Sequence, residues 1–160
     1  MPERSVAGTT RALTKLKRET AEIGIEENKA VVRRFMYEFL AGGNLDVADE
    51  ILAPDYANVA MGGADRDGVK GMVAGTDAVL KGQRFEDEEL VAEGDAVFAR
   101  FNYVLTLPDG TTTSARAVAY HRIANGKIAV NDVMSDPDMM EVLGPLLASP
   151  PDREVEDLGV

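Results

Sequence analysis

Along the chain the spacing of apolar residues changes period once, from helical to strand-like. Between Glu26 and Ala41, the residues Val31, Val32, Phe35, Met36, Phe39 and Leu40 recur at helical spacing and predict an amphipathic helix, stopped by Gly42-Gly43. Asn44 can cap a second short helix through Leu52, with Leu45, Ala48, Ile51 and Leu52 on its apolar side, and Pro54 ends it. Asp55 to Val59 reads as a short extended segment leading into the loop MGGADRDG. Val69, Met72, Val73 and Val79 then predict a third helix from about Asp67 to Leu80. From Gln83 onward the pattern is that of strands: RFEDEELVA, then three runs between Arg100 and Asp136 separated by Pro-Asp-Gly and Asn-Gly, the turn chemistry that folds strands back antiparallel. The EDEEL run within the first of these reads as an exposed edge that discourages strand pairing.

Helices first and a meander of strands afterwards predict an α+β domain, a curved antiparallel sheet wrapped around N-terminal helices. Such a sheet makes a cone, and its interior is a natural pocket. Residues 1–24, polar and broken by Gly8 and Gly24, with a modest helical tendency from Arg11 to Ile23, read as a flexible arm; residues 25–148 form the single domain, and residues 149–160 a solvated tail.

Alternation along the strands picks out a candidate pocket wall. If Asp109-Gly110 is a two-residue turn, Phe98, Arg100, Asn102 and Val104 share a face with Ala115, Ala117, Ala119 and His121. Polar groups then stand beside a row of alanines, whose small side chains leave the room a small-molecule pocket requires. The opposite face, with Phe101, Tyr103 and Leu105, would otherwise lie in water and predicts a homodimer through the outside of the sheet. The phase of the last strand depends on Asn125-Gly126. A two-residue turn makes Asp132 the diagonal neighbour of His121, whereas a bulged three-residue turn points Asn131, Val133 and Ser135 into the pocket.

Composition narrows the chemistry. A formal charge of −11 argues against nucleic acid or an anionic membrane surface as partner, and the one basic cluster, Arg11 to Arg18, lies in the N-terminal arm. No apolar run is long enough for a bilayer, and the first residues lack a secretory apolar region, so a cytoplasmic location is expected. With no cysteine and a single histidine, thiol chemistry is excluded and neither a metal site nor a bound cofactor is expected. The methionines read as pliable lining.

The strings NKAVVRRFMYEFLAGGNLDVADEILAPDY, EGD before a strand, and HRIANGKIAVNDVMSDPDMMEVLG resemble the nuclear transport factor 2 (NTF2) superfamily, with its cystatin-like cone. Within it they resemble the SnoaL-like polyketide cyclases. That resemblance implies cofactor-independent acid and base work by a His and an Asp near the end of the sheet, matched here by His121 and by Asp132 or Asp136. A second likeness is to limonene-epoxide hydrolase: Tyr56 and Asn58 match its Tyr-x-Asn, and Arg100, Asn102 and Leu107-Pro108-Asp109-Gly110 match its Arg-x-Asp strand and turn. Asn102 and Val133 stand where that family has its two acids, so this likeness implies a shared pocket without the acid pair.

The expected function is therefore a cyclase or isomerase acting on a carbonyl-bearing, polyketide-type small molecule. His121 is its base, Asp132 orients the imidazole, and Arg100 and Asn102 stabilise an enolate oxygen. Tyr56, Asn58 and Asn131 are further substrate-binding candidates. Epoxide opening and non-catalytic ligand binding are the alternatives.

Overall fold

The structure, a computed structural model, describes residues 6–148; the expected C-terminal tail, 149–160, lies outside them. Helix α1 runs Val6–Arg34 and continues without a break into a π-helical stretch, Phe35–Ala41. The segment read as a flexible arm is helical from Val6, in line with its modest helical tendency, and adds about five turns to the helix foreseen from Glu26. A mid-helix Gly costs only about 1 kcal/mol, so Gly8 and Gly24 do not break it. The π-helical stretch buries Phe35, Met36 and Phe39, and the helix ends where a Cβ on Gly42 would come within 2.6 Å of the Glu38 carbonyl oxygen. Gly43 follows at a positive φ of 64°.

The Asn44 side chain caps the next turn by accepting from the Asp46 amide at 3.2 Å, and α2 is the short Ala48–Ile51. Strand β1, Leu52–Asn58, and a single 3-10 turn, Val59–Met61, lead to α3, Arg66–Val79, capped by Asp65 through the Gly68 amide. Four long strands follow: β2, Gly82–Glu93; β3, Ala96–Thr106; β4, Thr112–Ala124; and β5, Lys127–Asp136. A last helix, α4, spans Met139–Ala148. The strand order is β1-β5-β4-β3-β2. β2 to β5 form the expected antiparallel meander, but β1 pairs β5 in parallel, so the curved, unclosed sheet is mixed rather than purely antiparallel.

Two registers depart from expectation. The β3–β4 connection is the loop 107–111, which pairs Thr106 with Thr112 rather than closing tightly on Asp109-Gly110. Its shape is held by the Leu107 amide on the Thr111 carbonyl and by the Asp109 carboxylate on the Thr111 amide and hydroxyl. The added residues shift the phase by one. Val97, Ala99, Phe101 and Tyr103, not Phe98, Arg100 and Asn102, share the inner face with Ala115, Ala117, Ala119 and His121. At the second turn, Asn125-Gly126 does form a two-residue hairpin, both residues at positive φ, but the register slips between Arg122 and Ile123. That bulge combines the two alternatives: a tight turn with the bulged phase beyond it.

The main core joins Val32, Phe35 and Phe39 of the first helix, Ile51, Leu52 and Tyr56, Val69 and Val73 of α3, and the inner sheet face. A smaller cluster of Leu80, Leu105, Ala115, Met139 and Leu143 packs α4 against the far end of the sheet. Edge strand β2 carries the EDEEL run, with a register shift and a positive φ at Asp87, and Glu88 turns back to bind Arg33 and Tyr37 of the helix.

Phe39 is fully buried and stacks on Phe35 at 5.7 Å, tying the helix to the cone. Phe39→Ala is expected to lower the unfolding free energy by about 3–5 kcal/mol, measured by urea denaturation.

Candidate functional site

Between the helices and the inner sheet face lies a cavity of about 360 Å³. Its walls are apolar: Phe35, Met36 and Leu40 from the first helix, Met72 from α3, Phe85 and Phe101 from the strands, and Met139 and Leu143 from α4. Met36, Met61, Met72, Met139 and Met140 line it, as the pliable-lining reading expected; unbranched thioethers let one pocket adapt to several ligand shapes. Ala117 and Ala119 leave the sheet floor open where larger side chains would fill it.

One end of the cavity is closed and polar. His121 on β4 pairs with Asn131 on β5, and Asn131 pairs in turn with Asn58 at the end of β1. The three line the cavity side by side, on strands about 4.8 Å apart, and are 1%, 4% and 4% exposed. His121 Nδ1 lies 3.3 Å from the Val97 carbonyl oxygen. A carbonyl only accepts, so Nδ1 carries the proton and Nε2 keeps its lone pair. The ring stands edge-on to Phe35 at 5.9 Å. Burial pushes the imidazole down from 6.5 to about 4, the Val97 carbonyl opposing only in part. His121 is therefore neutral at physiological pH.

The Asn58 carboxamide oxygen accepts from the Met61 amide at 3.2 Å, and its NH₂ group neighbours the Tyr56 hydroxyl. The Asn131 side chain makes no hydrogen bond among the described residues. Two carboxamides thus stand in a row beside an imidazole nitrogen in a buried recess. Tyr56 lies behind this row, in the core rather than on the cavity wall; its hydroxyl is buried without a hydrogen-bond partner. Burial holds its pKa well above the ordinary phenol value.

The other expected site residues lie elsewhere. Arg100 is exposed on the outer sheet face opposite Val118, and Asn102 is opposite Arg116 with its amide on the Asp87 carboxylate at 2.9 Å. The loop 107–111 turned both outward, and exposure explains how a mid-strand arginine stands there without a buried acid. Asp132 pairs with Tyr120 on the same outer face, so it is adjacent to the His121 row but does not reach the imidazole; the bulge before it is the cause. Ser135 faces the cavity, its hydroxyl accepting from the Met139 amide at 3.0 Å, while Asp136 is exposed and paired with Arg116 at 3.6 Å. The pocket correspondence drawn from limonene-epoxide hydrolase is thus not assembled, since Arg100 and Asn102 face the other way.

Residues that sequence reasoning did not place in the site include Gln83, Phe85, Phe101 and Tyr103. The signal was there: Val97, Ala99, Phe101, Tyr103 and Leu105 are all apolar or aromatic, while their neighbours Arg100 and Asn102 are polar. Alternation read as apolar-in and polar-out gives the observed phase.

Helices packed into a curved five-stranded sheet, closed at one end over a buried imidazole, define a cone-type small-molecule pocket protein. Residues 32–131 match the SnoaL-like domain, and the chain belongs to that family. Among solved structures it is similar to a protein from Acidithiobacillus ferrooxidans described as a polyketide cyclase, at 20% identity over 75% of this chain and 96% of that one, with a TM-score of 0.61. IdmH from Streptomyces antibioticus, described in the same terms, shares 22% identity over 73% of this chain and 98% of its own, with a TM-score of 0.61. An NTF2-like protein of unknown function from Burkholderia pseudomallei shares 19% identity over 77% and 98%, with a TM-score of 0.60. These likenesses establish the fold. A search of the curated proteins finds none that matches the chain. Among the described residues no helix is long and apolar enough to cross a membrane, and no cluster of His, Asp and Glu is arranged to hold a metal ion.

Two measurements check this geometry. Removing the orphan hydroxyl in Tyr56→Phe should raise stability by about 1 kcal/mol, because an unsatisfied buried hydroxyl costs that much or more; thermal or urea unfolding reads it. For His121 the folded pKa lies below the unfolded one, so its stabilising contribution is complete above pH 6.5 and is lost as pH falls from there toward 4. The stability advantage of wild type over His121→Gln should shrink by roughly 3 kcal/mol between pH 7.5 and 4, as followed by urea titrations at each pH.

Proposed function

We propose that the protein is a cofactor-independent cyclase or isomerase that removes a proton next to a carbonyl in a polyketide-type small molecule. The observation that carries this reading is the row His121, Asn131 and Asn58 at the closed end of an apolar cavity. His121 Nε2 takes the α-proton. The C–H electron pair moves toward the carbonyl, and the resulting enolate oxygen accepts hydrogen bonds from the Asn131 and Asn58 amides. The imidazolium and enolate form together, so no net charge is created in the buried site. The enolate carbon then attacks a second carbonyl of the same molecule and the new alkoxide takes the proton from His121, which closes a ring. Return of the proton to another carbon instead gives an isomer.

In this scheme Asn131 and Asn58 take the oxyanion role first expected of Arg100 and Asn102, and the Val97 carbonyl takes the orienting role expected of Asp132. A folded pKa of about 4 keeps the base form populated throughout the neutral range. The competing reading, a pocket that binds without chemistry, draws support from the same site: no carboxylate shifts or orients His121.

Deuterium exchange separates the two. In D₂O, wild type should speed exchange of the α-protons of 2-tetralone, read by mass spectrometry, and His121→Ala should lose about 10²- to 10⁴-fold of that rate. The enzymatic rate should fall only as pH drops toward 4 and be level at neutral pH. No acceleration by wild type across a panel of cyclic ketones, or an unchanged rate in the variant, would favour the binding module.

The proposal includes a homodimer through the outer sheet face. The apolar residues exposed there include Val91, Phe98, Val118 and Met134, at 60%, 48%, 43% and 71%, instead of Phe101, Tyr103 and Leu105, which are turned inward. Sedimentation at tens of micromolar, roughly where a standard interface persists, should show a dimer that Met134→Glu weakens; a wild-type monomer argues against it.

A further inference from the structure

The cavity has a second polar pole. On β3 and β2, the Tyr103 hydroxyl donates to the Gln83 side-chain oxygen, and Gln83 Nε2 donates to the Leu40 carbonyl of the π-helical stretch at 2.7 Å. Tyr103 pairs with Ala115, six residues along β4 from His121, so the two poles are separated by about 20 Å of strand. Both members of the pair line the cavity, on the half toward α4. Each keeps hydrogen-bonding capacity in reserve. The Tyr103 oxygen has lone pairs to accept with, and the Gln83 amide has a second N–H to donate. Beside them stands an aromatic wall: Tyr103 stacks on Phe85 at 5.0 Å and 16°, and Phe85 meets Phe101 edge-on at 5.0 Å.

A chain of hydrogen bonds that only pinned the helix to the sheet would be complete with Gln83 and Leu40. Tyr103 adds a hydroxyl facing the cavity next to a flat aromatic surface. We infer that Gln83 and Tyr103 form a specificity subsite for a hydroxyl on a flat ring of the substrate, remote from the carbonyl that the His121 end receives. This rests on the proposed carbonyl chemistry for the orientation of the ligand and deepens it by naming the class: an extended aryl ketone with a phenolic hydroxyl at its far end. The ring lies against Phe85 and Phe101, its hydroxyl donates to Tyr103 and accepts from Gln83, and the ketone end of the substrate extends along the cavity toward the His121 pole.

The test uses two probes that differ by one hydroxyl, 4′-hydroxyflavone and flavone, whose dissociation constants are measured by calorimetry. Wild type should prefer the hydroxylated probe by about three- to tenfold, the equivalent of one net hydrogen bond. Tyr103→Phe, which keeps the ring on Phe85, should bind both probes equally while holding its affinity for flavone. Gln83→Leu should lose the preference in the same way. His121→Gln should retain it, because the poles are separate; a failed exchange experiment at His121 therefore leaves this result readable. Equal binding of the two probes by wild type, a preference that survives in Tyr103→Phe, or no binding of either probe overturns the inference.

Discussion

The cavity depends on the phase of one strand. In β4 every second side chain points inward, and those chosen are Ala115, Ala117, Ala119 and His121. The period of two is a property of the extended backbone, so neither the alanine row nor the histidine can be rotated separately. The loop 107–111 on one side and the bulge near Ile123 on the other set which residues of β3 and β5 join that face. One residue more or less in either connection would exchange Phe101 and Tyr103 for Arg100 and Asn102, or Asn131 for Asp132. The polarity of the cone interior is thus decided at its turns.

Keeping that interior open is a departure from close packing. Alanines on the sheet floor and long unbranched methionines on the walls forgo the contacts that larger, stiffer side chains would make. The rest of the molecule compensates. Phe35 and Phe39 anchor the first helix, Ile51, Leu52 and Ile128 fill the narrow end, and α4 covers the wide end through Met139 and Leu143. Helix and sheet edge are joined again by Arg33 and Tyr37 on Glu88. A rigid frame therefore surrounds an adaptable lining, which suits a family whose members handle varied small molecules on one scaffold.

Burial shapes the chemistry as much as the choice of residue does. Among the described residues the cone interior gives His121 no carboxylate, only a backbone carbonyl and an aromatic edge, so the imidazole stays neutral and its Nε2 lone pair faces no competition from a neighbouring acid. The carboxamides of Asn131 and Asn58 are donors at any pH, which an acid in their place would not be. The charged residues that looked suited to this role, Arg100 and Asp132, are where solvation is cheap.

The order of helices and strands, the α+β class and the inward placement of His121 were legible in the sequence, because they rest on local periodicity and turn chemistry. So was the role of the methionines. The helical tendency from Arg11 to Ile23 was legible, but its continuity from Val6 into the next helix was not, since Gly8 and Gly24 read as breaks although each costs little within a continuing helix. The parallel pairing of β1 with β5 was not, because it joins segments distant in the chain. Which side chains surround His121 was decided only in the tertiary structure. Local signals name the residues at a turn, but its length and a bulge several residues away are settled by how the whole sheet packs on its helices, and a shift of one residue reverses every side chain beyond it.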